Sequence, residues 1–213
     1  MRRGTALRGY ACRMPSRPAL SPEFIAAHKK RRIMDALAEL CAEQGYEATK
    51  ISDIVRRARV ARKTLYDNFE GKEEVFLAAF DAARDEAMAR VEESCAAAEG
   101  WQAAVEAGLG AFLGYVAEKP VLARMCMIEA LSATPTATER YEQTLAAFVA
   151  LAGQSLPEVK GLPETMDEIL VGGVAWIVYQ RIRRDEARDV VDLLPELTEF
   201  VVAPYREAGA EKR

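Results

Sequence analysis

Apolar residues recur at helical spacing along most of this chain, and no stretch alternates with period two for long enough to predict a strand. The first stripe, Ile33, Leu37, Leu40 and Cys41, predicts a helix that opens at Ser21-Pro22-Glu23 and closes at Gly45. Serine caps such a start, proline suits the first helical position, an acid faces the positive dipole end, and glycine takes the left-handed conformation that ends a helix. Ile51, Ile54, Val55 and Ala58 predict a short second helix. After a tight turn at Arg59-Val60, Leu65 and Phe69 predict a short third one. Three helices joined so closely spell a helix-turn-helix over residues 21–72.

From Lys72 the stripe Val75, Phe76, Ala79, Phe80, Ala83, Ala87, Val91 runs about six turns, roughly 36 Å at the helical rise of 1.5 Å per residue, until Gly100 breaks it. Further helices are predicted at 101–118, 121–131, 136–156, 163–184 and 190–206, with proline pairs between several of them. The fold class is therefore all-α, with an N-terminal three-helix head and a C-terminal helical bundle over 73–213. Residues 1–20 carry five arginines, no acid and two prolines, and predict a flexible basic arm.

Composition narrows the function. With 213 residues and half of them hydrophobic, the chain can bury a sizeable core. Its longest uncharged apolar run, Ile169 to Tyr179, is eleven residues, short of the roughly 18 to 20 that cross a bilayer, so no membrane partner is expected. The net charge of −4 hides a partition. Residues 1–72 hold 16 basic and 8 acidic side chains, a net of +8, while the remainder hold 13 and 25, a net of −12. A basic end on an acidic body points to a polyanion met at that end alone. Cys12, Cys41, Cys95 and Cys126 form no C-x-x-C pair and His28 is the single histidine, so neither a metal site, a cofactor nor a histidine-based triad is expected. The chain does not read as an enzyme.

The segment Gly45 to Phe76 resembles the DNA-binding domain of the tetracycline-repressor (TetR) family through Gly45-Tyr46, Thr49, Ile54, Ala58, Val60, Thr64-Leu65-Tyr66, Phe69 and Lys72-Glu73. The resemblance implies a cytoplasmic bacterial protein, nucleoid-associated when bound to DNA. It also implies a homodimer that reads a palindromic operator in double-stranded DNA, and a helical body that binds an apolar or amphipathic effector. The leading reading is a repressor released by that effector. The competing one is a helical ligand-binding or scaffold protein with a degenerate DNA-binding head.

A recognition helix places its first turn in the major groove. Here that turn offers Arg62, Lys63 and Thr64 behind an uncapped Ala61. Two cations at a helix N-terminus without a cap cost about 1 kcal/mol or more in water, a sign that docked phosphate charge reverses. Arg62 can fork onto a guanine edge, and Lys63 acts as a point charge. The family pattern makes Tyr66, Asn68 and Lys72 phosphate contacts, with Thr49 and Lys50 opening the second helix toward the opposite rim. Tyr66 can also be read as a core aromatic. Three positions depart from the pattern: Lys50 for Thr or Ser, Arg59 for Gly and Ala61 for Ser. Without glycine, the turn holds Arg59 in the left-handed region or takes another shape.

In the body, Ile169–Tyr179 is apolar on every side and needs covering all round, which two copies related by a two-fold axis supply, the competing reading being a helix central in a monomer. Gly172 and Gly173 permit close approach there, and Leu197 and Val201 of the last helix join the same expected dimer interface. Trp101, Phe112, Tyr115, Met125, Glu129, Tyr141, Phe148 and Trp176 are candidate lining for an effector pocket, each with packed core as the competing reading. Glu129 stands amid Met125, Met127, Ile128 and Leu131, either as a polar anchor for the effector or as a carboxylate facing water.

Overall fold

The computed structural model describes residues 22–210, so the basic arm 1–20 and the Ser21 cap lie outside the described residues. Within them every regular element is helical. In the head, α1 spans Pro22–Gln44, α2 Ile51–Ala58 and α3 Arg62–Tyr66, and α4 (Lys72–Ala96) leads out of it. The body comprises α5 (Trp101–Glu118), α6 (Pro120–Arg124), α7 (Ala130–Ala133), α8 (Pro135–Ser155), α9 (Met166–Arg183) and α10 (Leu194–Ala210). Between α6 and α7 the chain makes a π-helical turn, Met125–Glu129, and a 3₁₀ stretch, Ala187–Leu193, leads into α10.

Local chemistry accounts for the ends. Gly45, at φ 81°, closes α1 and its N–H donates to the Cys41 carbonyl at 2.9 Å. The Thr134 hydroxyl accepts from the Ala137 N–H at 3.2 Å, with Pro135 at the first position of α8. The helix expected over 121–131 instead changes register at the π turn. The one expected over 163–184 begins at Met166, and the first residues of 190–206 are wound as 3₁₀.

Two cores result. Ile33, Leu37, Ile54, Leu65 and Phe76 are sealed in the head, and that core continues without a gap into Met125, Ala130, Ala133 and Ala137 of the body. Leu113, Val116, Val178, Ile182, Val190 and Leu197 form the second, deeper in the body. The head therefore packs on the body through buried apolar surface rather than hanging from a linker.

The turn between α2 and α3 settles the question raised by Arg59. Its backbone is left-handed, φ 52° and ψ 47°, so arginine occupies the conformation that glycine usually supplies. The Arg59 N–H donates to the Arg56 carbonyl at 3.2 Å and the Val60 N–H to the Val55 carbonyl at 3.1 Å, closing the helix in the usual way. From α1, the Arg32 guanidinium clasps the carbonyls of Ala58 and Arg59, the latter at 3.2 Å. A cross-helix brace thus holds a backbone that the side chain disfavours.

The expected dimer face divides on inspection. Leu170, Val174, Val178 and Ile182 point inward, whereas Ile169, Trp176, Ile177 and Phe200 stand exposed, Trp176 at 59%. Leu197 and Val201 are buried within the protomer, so they belong to its own core and not to an interface; i, i+4 spacing put them on the inner face of α10. A Cβ at Gly173 would stand 3.1 Å from the Phe200 ring, so Gly173 serves packing within the chain. Gly172 opens onto solvent. Trp176 leaves the expected pocket altogether and stacks on Tyr179, ring centroids 5.5 Å apart.

Replacing Arg59 by glycine removes the left-handed penalty of about 1 kcal/mol. Thermal unfolding of Arg59→Gly is expected to show a midpoint raised by about 2–4 °C. Arg32→Ala, which removes the clasp, is expected to lower it.

Candidate nucleic-acid interface and internal cavity

The recognition element is α3, packed into the head by Leu65 alone of its five residues. Ala61 precedes it in an extended conformation, φ −70° and ψ 148°, and makes no side-chain cap. Arg62 and Lys63 are therefore free to point outward, and both are exposed. Arg62 lies over the Tyr66 ring at 5.6 Å and its guanidinium reaches the Tyr66 hydroxyl at 3.4 Å. Tyr66 itself is 44% exposed, which removes the core-aromatic reading. Stacking one rotamer-rich cation on a neighbouring ring reduces the entropy it loses on docking. Thr64 is half-buried, and its carbonyl accepts from the Asn68 amide at 2.7 Å, tying Asn68 back to the helix end.

Lys50, exposed and extended, precedes α2 and makes no side-chain cap. Thr49 departs from its expected role. It is buried at 2% exposure, and its hydroxyl donates to the Gly45 carbonyl at 2.8 Å, so it locks the turn after α1 rather than facing a phosphate rim. Lys72 is likewise committed: its ammonium donates to the Tyr46 carbonyl at 2.9 Å and sits 3.9 Å from the Tyr46 ring centroid. It remains half-exposed, but positioning the start of α4 is its visible task. Of the other arginines, Arg57 pairs with Glu39 at 3.0 Å and Glu43 at 2.7 Å on α1, which holds the Glu43 carboxyl below its ordinary range. Arg56 pairs with Asp53 at 2.8 Å. Arg57 thus braces α2 against α1, and Arg56 is paired within α2.

Behind the head, α4, α5, the π turn, α8 and α9 border a half-open cavity of about 200 Å³. Phe112, Tyr115, Tyr141 and Phe148 line it, Phe112 and Phe148 meeting edge to face at 5.7 Å. The other four expected residues do not. Met125 is sealed in the head core, Trp101 packs against Tyr205 with centroids 6.1 Å apart, and Trp176 stands on the outer surface. Glu129 turns away from the cavity to accept the Tyr46 backbone N–H at 2.9 Å. Sequence reasoning missed the wall supplied by α4: Ala83, Ala87 and Val91, small side chains on its inward face, leave the space. That run of alanines was the available signal.

The lining is almost wholly apolar. Arg84, its one charged member, is paired with Asp81 at 3.0 Å and Asp85 at 2.7 Å. Cys126 is a free thiol pushed up to about 12 by burial. The Tyr115 hydroxyl is buried without a hydrogen-bond partner, and burial raises its pKa. Among the described residues no cluster of His, Cys, Asp or Glu could hold a metal ion, and no helix is long and apolar enough to cross a membrane.

A head of this geometry, with a braced turn and outward cations on its third helix, is a helix-turn-helix domain of the kind that docks in a major groove. Residues 33–79 match the profile of the bacterial regulatory proteins of the tetR family. A 65-residue stretch is 35% identical to the fatty acid metabolism regulator protein of Bacillus subtilis, covering 30% of this chain and about a third, 34%, of that relative. The whole fold is similar to that of the fatty acid degradation regulator FadR from Bacillus halodurans, with TM-score 0.75 and 19% identity over 81% of this chain and 94% of that one. It is also similar to FadR from Bacillus subtilis in complex with stearoyl-CoA, with TM-score 0.69 and 21% identity over 81% and 97%.

The two readings of Thr49 separate by mutation. Thr49→Val removes the hydroxyl that satisfies the Gly45 carbonyl and is expected to cost about 1–2 kcal/mol in denaturant unfolding. The salt dependence of duplex binding is expected to stay that of the parent protein, because no phosphate contact is lost.

Proposed function

We propose that this chain is a ligand-responsive, DNA-binding transcriptional regulator, a repressor that leaves a palindromic operator when a small effector fills the body cavity. The observation that carries this reading is the pairing of two features: exposed Arg62 and Lys63 on a braced recognition helix, and an apolar cavity walled by the helix that leaves the same head. Supporting it, the head matches the tetR family profile and the fold is similar to that of FadR. In the docked state Arg62 meets a base edge and Lys63, Tyr66 and Lys50 meet backbone, while Asn68 and Lys72 hold the surrounding turns. Cytoplasmic placement, on the nucleoid when bound, follows from that role.

The effector class comes from the lining. A cavity without a free charge selects a molecule by its apolar bulk, and a long acyl chain is such a molecule. The Bacillus subtilis FadR structure holds stearoyl-CoA, which makes an acyl thioester the first effector to try. The Tyr115 hydroxyl, sealed in the cavity wall without a partner, would meet a polar atom of such a ligand once the wall opens around it.

Reading two half-sites takes two heads about 34–36 Å apart, hence two copies of the chain. The exposed Ile169, Trp176, Ile177 and Phe200 give α9 and α10 an apolar face suited to cover by a second copy. Gly172, open to solvent beside them, allows a partner's backbone to come close.

Binding to a palindromic duplex from the gene's own upstream region is expected to fall steeply with salt, to exceed binding to random duplex, and to be reversed by stearoyl-CoA. Equal affinity for both duplexes would instead favour the degenerate-head reading. Arg62→Ala is expected to relax base preference at one position per half-site, at a cost of about 1–3 kcal/mol. Trp176→Glu is expected to give a monomer by sedimentation. Tyr115→Phe is expected to leave stability unchanged or raised, since no hydrogen bond is lost, while weakening effector binding.

A further inference from the structure

One five-residue turn touches both halves of the molecule. In the π turn Met125–Glu129, Cys126 and Met127 line the cavity, Met125 is sealed in the head core, and Glu129 reaches the head backbone. The Glu129 carboxylate accepts the Tyr46 N–H at 2.9 Å. Its oxygen would also stand 3.6 Å from a Cβ on Gly45, so it lies flush against the turn that ends α1.

That turn is where the head is assembled. The Tyr46 carbonyl accepts from Lys72 at the start of α4 and from the Thr49 N–H at 3.1 Å, and the Gly45 carbonyl accepts from the Thr49 hydroxyl. The starts of α2 and α4 are therefore both referred to the two successive peptide units around Tyr46, and α3 with Arg62 lies between them in the chain. A π turn contains one residue more than an α-helix accommodates, and a slide into α register swings each side chain by about 100° around the axis. A ligand pressing on Cys126 and Met127 acts on the same turn that aims Glu129.

We propose that Glu129 is the positioning residue through which cavity occupancy reaches the DNA-binding head: filling the cavity re-registers the π turn and withdraws the carboxylate from the Tyr46 amide, loosening the Gly45–Thr49 turn. This rests on the reading of the cavity as the effector site. Linkage requires the converse, that DNA docking, by holding the turn closed, weakens effector binding by the same factor.

The test uses the full chain with hydrogen exchange resolved to the Tyr46 amide, and affinity for the upstream duplex with and without stearoyl-CoA. In the parent protein, stearoyl-CoA is expected to speed Tyr46 exchange at least about tenfold, the factor that corresponds to one lost hydrogen bond of about 1.4 kcal/mol. Glu129→Ala without ligand is expected to show that faster exchange already and to bind the duplex about tenfold more weakly. In this variant stearoyl-CoA still binds but leaves duplex affinity unchanged. Glu129→Gln, which keeps an acceptor oxygen, is expected to restore slow exchange and the response to ligand. A merely structural Glu129 would lower stability while preserving the ratio of affinities with and without ligand, and that result overturns the proposal. So does parent-like Tyr46 exchange in ligand-free Glu129→Ala. If the parent protein binds no acyl-CoA, the effector assignment fails, and the latch is still judged by the ligand-free exchange and duplex affinity.

Discussion

A single apolar stripe on α4 serves two environments, and the rest of the molecule is arranged around that fact. Its first half, Val75, Phe76 and Phe80, closes the core of the head with Ile33, Leu37 and Leu65. Its second half, Ala83, Ala87 and Val91, is too small to fill the space facing it and becomes a cavity wall. Large side chains make one end of the helix immobile against the head, and small ones make the other end answerable to whatever occupies the body. Because close-packed interiors transmit displacement rather than absorb it, the helix cannot move at one end without consequence at the other.

Much of this was legible in the chain's pattern. Helical spacing placed α1, α4 and α5, because each has a stripe that repeats for whole turns and a glycine or proline near its ends, whereas α2, whose C-cap is Arg59, was placed by its stripe alone. The joint order of residues from Gly45 to Phe76 was enough to resemble a DNA-reading head, and the head is the part that matches a family. Spacing failed where one residue had two possible apolar neighbours. Leu197 and Val201 are as hydrophobic as an interface residue, yet the inner face of their helix meets α5 of the same protomer. Trp176 is the reverse case, an aromatic that reads as cavity lining and stands on the outside.

Polar residues failed differently. Glu129 among methionines reads as a ligand anchor or a solvated carboxylate, and its actual partner is a backbone amide 83 positions earlier in the chain. No periodicity encodes such a contact, nor the π turn that aims it, since one extra residue per turn changes no residue type. Thr49 matched the family motif and still faces inward, because its position in the pattern records a hydrogen bond to Gly45 rather than a contact with a ligand. The Arg59 departure was visible as a problem in the sequence; its solution, the Arg32 clasp from another helix, was not.

The absence of any unpaired charge from the cavity wall also sets how finely the protein can discriminate. A pocket that binds through methylene burial gains about 0.8 kcal/mol for each carbon it covers, close to a fourfold step in affinity. For a ligand that enters as a hydrocarbon chain, such a site would act as a ruler: affinity would climb by that factor per carbon until the space beside Ala83 and Ala87 is full, then stop. Enlarging one of those alanines would move the end of the scale while leaving Arg62 and Lys63 in place.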